Sequence, residues 1–382
     1  MNPQPQPARE VAALFLKLGC IAFGGPAAHI AMMRDEVVRR RGWLNDQEFL
    51  DLLGAANLIP GPSSTELAIF LGYRRAGVVG LILGGTLFIL PAMAIVLALA
   101  WAYVEYGSTP GAGWLLYGIK PAVIAIIVQA LWSLGRTAVK GVVLAFLGAA
   151  VLGLYLIGAN VIVLLIGAGV LMVAMANRSR LPFGRMAALV LPASVLQAPD
   201  LIVGRVSLGL LFGTFLKIGA VVFGSGYVLL AYLRAELVEQ LHWLTNQQIL
   251  DAVAVGQFTP GPVFTTATFI GYVLAGFPGA LLATLGIFLP GFIFVAITYP
   301  FIPRLRGSGW TRHFLNGVNV AALGLMAGIT WQLGQSAITD WLTAAIAVCA
   351  AILLIRSKVN SAWLVAGGGL IGVAVHAAGS AV

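Results

Sequence analysis

The chain repeats itself. Residues 15–25, FLKLGCIAFGG, return at 215–225 as FLKIGAVVFGS, and the IPGP of 59–62 returns at 259–262 as TPGP. Between positions 15 and 62, 18 of 48 residues are identical to the residue 200 positions further on. A one-residue deletion then lowers the offset to 199, which pairs Gly72-Tyr73 with Gly271-Tyr272, Leu90-Pro91 with Leu289-Pro290 and Trp132 with Trp331. Asn160 and Asn360 restore the offset of 200. An internal repeat of this length means two structural halves. The expected division is 1–180, a cytoplasmic linker at 181–206 carrying Arg185, Pro192 and Pro199, and 207–382.

What each half is made of follows from its poverty in charge. Charged residues are 9% of the chain, hydrophobic residues 60%, and the mean hydropathy is +0.98. A soluble domain carries about 25% charged residues; this chain lacks the polar surface to coat a water-soluble globule. The net charge of +9 sits in short loops between long apolar runs, the pattern of a multi-pass membrane protein rather than a nucleic-acid binder. Cys20 and Cys349 lie singly in apolar stretches, and no signal-peptide core precedes the polar first ten residues. No P-loop, metal-ligand cluster or nucleophile elbow is present, so no cofactor, metal or ATP is expected, nor an enzyme's nucleophile.

About 20 apolar residues cross a bilayer core. The expected spans are 11–33, 77–104, 114–135, 141–157 and 161–177, then 208–233, 277–302, 314–334, 341–355 and 361–378. Segments 46–73 and 246–272 are apolar but interrupted by Pro-Gly-Pro, and their arms are too short to cross. They read as re-entrant hairpins, which persist only where protein or a water-filled cavity surrounds them. The expected fold is therefore an all-α integral membrane bundle of about ten spans plus two broken hairpins. Loop cations alternate between the copies. The loop at 105–113 has no Lys or Arg, whereas its partner has Arg304, Arg306 and Arg312; Arg136 and Lys140 face a partner loop with only Asp340; Arg356 and Lys358 face an uncharged loop. Cytoplasmic loops collect Lys and Arg, so the halves are expected to be inverted, with both termini outside. Inverted repeats with broken helices are the architecture of secondary transporters, which bind substrate at the repeat interface.

The breaks define the candidate site. Phe23-Gly24-Gly25-Pro26 interrupts the first span and Phe223-Gly224-Ser225-Gly226 its repeat; Pro60-Gly61-Pro62 and Pro260-Gly261-Pro262 interrupt the hairpins. Each exposes a fresh helix N-terminus, whose unpaired N–H groups and positive dipole end attract oxyanions. Ser63, Ser64 and Thr65 follow one tip and Thr265 and Thr266 the other, adding hydroxyl donors. Lys17 and Lys217 lie at equivalent positions six residues before Phe23 and Phe223. Facing a cavity they would suit a divalent anion; the alternative is that they snorkel to the headgroups. Glu66 opens the return arm where the second copy has Thr266, and is the leading candidate for proton coupling; Asp51, Asp251 and His29 are further candidates. The repeat-paired Asp51 and Asp251 read equally as hairpin caps or salt-bridge partners, and His29, replaced by Leu229, as a packing residue.

The order of these motifs is similar to that of the bacterial chromate ion transporter family: F-G-G-P at 23–26, Trp43-Leu44, Pro-Gly-Pro at 60–62, G-Y-x-x-A-G at 72–77 and Leu90-Pro91, then the same series again. The chain resembles the fused form of that family, in which two homologous halves are antiparallel. The resemblance implies a carrier in the bacterial inner membrane that exports chromate and confers resistance to it, with sulfate as the look-alike anion. A homodimer is a further expectation. The second copy departs from the pattern, with Gly226 where the first has Pro26. The rival readings are a sulfate or other oxyanion carrier, an anion channel and a membrane enzyme acting on lipid phosphate.

Overall fold

In lipid, apolar side chains gain nothing by leaving the surroundings for one another, so helices associate by close packing of small residues and by polar ties. The computed structural model follows that rule. It describes residues 7–176, 206–223, 228–302, 309–357 and 359–379, all of them helix or short connections. The linker at 181–205, Gly224, Ser225 and Gly226, and the loop cations Arg304, Arg306 and Lys358 lie outside the described residues.

Each half opens with a short helix, α1 (Pro7–Ile21) and later α8 (Leu208–Val221). α1 lies against α4 (Ser63–Tyr106) at Gly19, where a Cβ would stand 2.8 Å from the Leu87 carbonyl oxygen. Gly219 seats α8 against the Ile287 carbonyl of α11 (Thr266–Thr298) in the same way. After the break come α2 (Gly25–Arg34), continuing as a π-helical turn over Asp35–Arg40, and its repeat α9 (Leu229–Leu233), continuing over Arg234–Gln240. The first hairpin arms, α3 (Asp46–Ala56) and α10 (Asn246–Phe258), both begin with capping boxes, Asn45 with Glu48 and Thr245 with Gln248. These caps satisfy the helix's first free N–H groups reciprocally.

The Pro-Gly-Pro tips end α3 and α10, and the return arms run only as far as Ala76 and Ala275. There the chain reverses. Gly77 and Gly276 take φ of 59° and 63°, a left-handed conformation that glycine adopts without steric cost. Gly72 then packs on the Gly80 carbonyl and Gly271 on that of Gly279. Segments 46–73 and 246–272 are thus hairpins with short arms, followed by spans that start where the sequence places them.

The second bundle is interwoven between the halves. α5 (Pro110–Ala138), α6 (Val142–Leu156) and α7 (Val161–Ala176) come from the first; α12 (Gly309–Ala337), α13 (Trp341–Arg356) and α14 (Ser361–Gly379) from the second. α5 packs on α13 and α14, and α12 on α6 and α7. Gly118 meets the backbone of Gly368, and its repeat Gly317 that of Ala168. α5 and α12 also touch, and they run antiparallel. Tyr117, near the start of α5, donates to Asp340 just beyond α12 at 2.6 Å, while Gly135 near its end faces Leu323 in the middle of α12. Among the described residues, five helices are long and apolar enough to cross a membrane, two of them including the reversals above, and four more apolar helices are shorter. Phe146, Trp331 and Trp363 present apolar surface outward. The protein is an all-α, multi-pass membrane protein.

Candidate functional site

A broken helix leaves carbonyls without intrahelical donors, and buried carbonyls need partners. Here each break is completed by the hairpin tip of the opposite half. The Gly261 N–H donates to Ala22 O at 2.8 Å, and the Gly61 N–H donates to Val222 O at 2.6 Å. These two reciprocal bonds bring each hairpin tip against the end of the opposite half's first helix, α8 for Gly61 and α1 for Gly261. A Cβ on Gly261 would crowd Ala92, and one on Gly61 would strike the Glu66 carboxylate, so both tips depend on glycine's missing side chain.

The two tips differ in what stands behind them. At the first, α4 begins directly at Ser63. Thr65 Oγ1 and both carboxylate oxygens of Glu66 are buried and have no hydrogen-bond partner among the described residues. Glu66 is folded beneath Gly61, and Gly291 of α11 lies beside it. The repeat counterpart of Gly291 is Ala92, so the half that faces the larger carboxylate has given up a methyl group. At the second tip, Pro262 leads into a 3-10 turn, Val263–Thr265, and the hydroxyls of Thr265 and Thr266 donate to Pro262 O (2.9 Å) and Val263 O (2.7 Å). Those donors are consumed by their own turn. His29 ties the first break to the first tip: Nε2 is 3.0 Å from Ala22 O and Nδ1 3.3 Å from Ser64 Oγ, with the ring edge-on to Phe88.

In front of the first tip lies a cavity of about 400 Å³, within the span of about 300–1,000 Å³ usual for ligand clefts. Pro26, Ala27 and Ile30 of α2, with Asn57 and Ser63 of the hairpin, form one wall. Thr137 and Lys140 at the end of α5, and Asn316 and Asn319 in the first half of α12, form the other. Val228, Leu134 and Met326 complete it. Hydroxyl, carboxamide and ammonium donors thus converge on a space at a helix N-terminus, a set able to coordinate an oxyanion from several sides.

The expected pair of substrate cations is not there. Lys17 Nζ donates to Glu36 at 2.7 Å and Lys217 Nζ to Glu236 at 2.7 Å, and neither lysine lines the cavity. The ammonium of Lys17, with Arg41, holds the Glu36 carboxyl below its ordinary range. The reason is rotational: six helical residues give the right height along α1, but the side chains point to the π-helical turns of α2 and α9. Glu36 is also bound by Arg40 and Arg41, and Arg34 by Asp46, so these charges bridge elements rather than pairing only within one helix. Asp51 accepts from Gln47 in its own helix at 3.2 Å, whereas Asp251 is tied to other helices. The cavity residues Asn57, Asn316, Asn319 and Lys140 were not singled out from sequence as ligands. Polar residues three apart in an otherwise apolar span, Asn316 and Asn319, were the available signal.

Comparison with known proteins agrees with this geometry. The family model described as Chromate transporter matches twice, over residues 9–173 and 209–373. A chromate transport protein of Cupriavidus metallidurans is 36% identical over 96% of this chain and 93% of its own. A probable chromate transport protein of Synechococcus elongatus is 35% identical over 90% of this chain and 89% of its own. A chromate transport protein of Pseudomonas aeruginosa is 34% identical, covering 87% and 82%. No solved structure matches. The repeated match, its near-complete coverage and the paired broken helices agree: the chain belongs to the chromate transporter family.

Proposed function

We propose that this protein carries chromate, a tetrahedral divalent oxyanion, out of the cytoplasm by alternating access, and that it resides in the bacterial inner membrane. The observation that carries the reading is the cavity at the first hairpin tip. It is lined by donors at the start of a buried helix, and it reaches the surface at Lys140. That end of the bundle also holds Arg136 near the end of α5 and Arg312 near the start of α12, and basic ends face the cytoplasm. Substrate entering from inside would meet Lys140, then Asn316 and Asn319, and last Ser63 at the start of α4.

Glu66 is the coupling group in this reading. A carboxyl in a membrane interior without a hydrogen-bond partner is costly as an anion, so it carries a proton while the oxyanion is bound nearby. Losing that proton to the side on which the anion leaves would repel the bound anion and favour its release. One proton then accompanies each dianion, and a net single negative charge moves outward, driven by the membrane potential.

Radiolabelled chromate uptake into everted vesicles tests the function, with sulfate as competitor and an uncoupler as the control for coupling. The expected result is accumulation that depends on the protein, is reduced by the uncoupler and is competed by sulfate. Vesicles containing the protein that accumulate no more chromate than empty ones would overturn it.

A further inference from the structure

On the side opposite the open cavity, the described residues of the second half's hairpin pack closely against neighbouring helices. α10 packs against α5, α12 and α14, and α9 against α12, while among the described elements α3 makes substantial contact with α4. Polar side chains fasten that side. Gln247 of α10 donates to Ser336 O at 2.6 Å, and Arg234 donates to the Tyr155 hydroxyl at 3.1 Å. At the deepest point Asp251 accepts a hydrogen bond from Tyr103 at 2.9 Å through Oδ2. Its Oδ1 stands 3.2 Å from the Lys120 ammonium of α5, an ion pair rather than an aligned hydrogen bond. Asp251 is 3% exposed, and the Lys120 side chain 17%.

The repeat shows what this ion pair replaces. At the offset of 199, Lys120 corresponds to Asn319, which is exposed on the wall of the open cavity. Asn57, another wall residue, corresponds to Gln257, which is 7% exposed and whose amide nitrogen has no partner among the described residues. If the two halves exchange roles, the cavity that forms on the other side is lined by Lys120 and Gln257. A buried ion pair cannot separate there without leaving each charge uncompensated, which is strongly unfavourable.

We propose that Lys120 is a second oxyanion-binding cation of the transport site, paired with the Asp251 carboxylate while the far side is closed and with a tetrahedral divalent oxyanion once that side opens. The cargo takes over the counter-ion role of Asp251, so opening is favoured when there is an anion to release or capture. This inference rests on the alternating-access reading above.

The test uses the full-length protein with Cys20→Ser and Cys349→Ser and a reporter, Gln257→Cys, labelled in intact cells by a membrane-impermeant maleimide. With the ion pair intact, labelling is slow. Asp251→Asn speeds it about tenfold, and the exchanged pair Lys120→Asp/Asp251→Lys returns it towards the starting rate. Sulfate replacing chloride at constant ionic strength then changes the rate in Asp251→Asn but not in Lys120→Met/Asp251→Asn, which removes both charges and retains the fold. Labelling of Asp251→Asn at the original rate, or a sulfate response that survives loss of Lys120, would overturn the proposal. Chromate uptake by the otherwise wild-type protein separates the two readings. Uptake with either adverse result removes only the role of Lys120, whereas no uptake removes the transport reading whatever the labelling shows.

Discussion

The two hairpin tips are built from the same repeat and are packed differently. At one, Asn57, Ser63, Asn319 and Lys140 line a cavity of about 400 Å³; at the other, Gln257 and Val263 are buried and Lys120 is paired with Asp251. The backbone plan is shared, down to the reciprocal bonds between Gly61 and Val222 and between Gly261 and Ala22. The difference lies in side chains: a carboxyl at Glu66 where the second half has Thr266, and an ammonium at Lys120 where it has Asn319. In the alternating-access reading proposed above, a symmetric frame with unequal side chains would give two gates of similar build and separate control over each.

Paired substitutions, one in each half, test that asymmetry. The largest difference is expected between Glu66→Gln and Thr266→Val. The first should lower uncoupler-sensitive chromate accumulation to below about a tenth of wild type, because it removes the proton-carrying group. The second deletes a hydroxyl already bonded to its own turn, and should change accumulation by less than about twofold. Equal losses would mean that the two tips are equivalent. Next comes Ser63→Leu against Val263→Leu. Filling the cavity and removing a donor should raise the KM for chromate roughly tenfold, whereas the enlarged side chain at the packed tip should act mainly on protein yield in the membrane.

Lys140→Ala should raise KM by about threefold, with the deficit shrinking at high salt, since an exposed cation attracts a dianion through solvent; Thr339→Ala, at the matching position, should leave KM unchanged. The smallest effect is expected at Lys17→Ala and Lys217→Ala. Each lysine is about half exposed and paired with a glutamate, and such pairs contribute about 1 kcal/mol or less. Uptake should stay within about twofold of wild type, and a much larger loss at both would restore these lysines to the substrate path.

The architecture was legible because its signals are local or repeated. Pro-Gly-Pro ends a helix wherever it stands, and the offset of 200 ties the two copies without reference to space, whereas the reversals at Gly77 and Gly276 emerge only from the structure. The alternation of loop cations is the sequence signal for inverted halves, an orientation that the labelling experiment below tests. Lys17 was placed wrongly for a tertiary reason. Its height along α1 follows from helical rise, but its partner, Glu36, lies 19 residues on and across the break. Lys120 was overlooked although a lysine within a span is conspicuous, because its partner Asp251 comes from the other half. Which tip carries the cavity cannot be read from sequence, since the repeat gives both hairpins the same backbone plan.

The central claim is that two inverted halves enclose a site that opens, in this structure, towards the basic, cytoplasmic side. Asn319→Cys in a Cys20→Ser/Cys349→Ser background tests it most directly. A membrane-impermeant maleimide should label this cysteine in everted vesicles and leave it unlabelled in intact cells. Labelling from the outside of intact cells, with everted vesicles unreactive, would contradict both the orientation and the site.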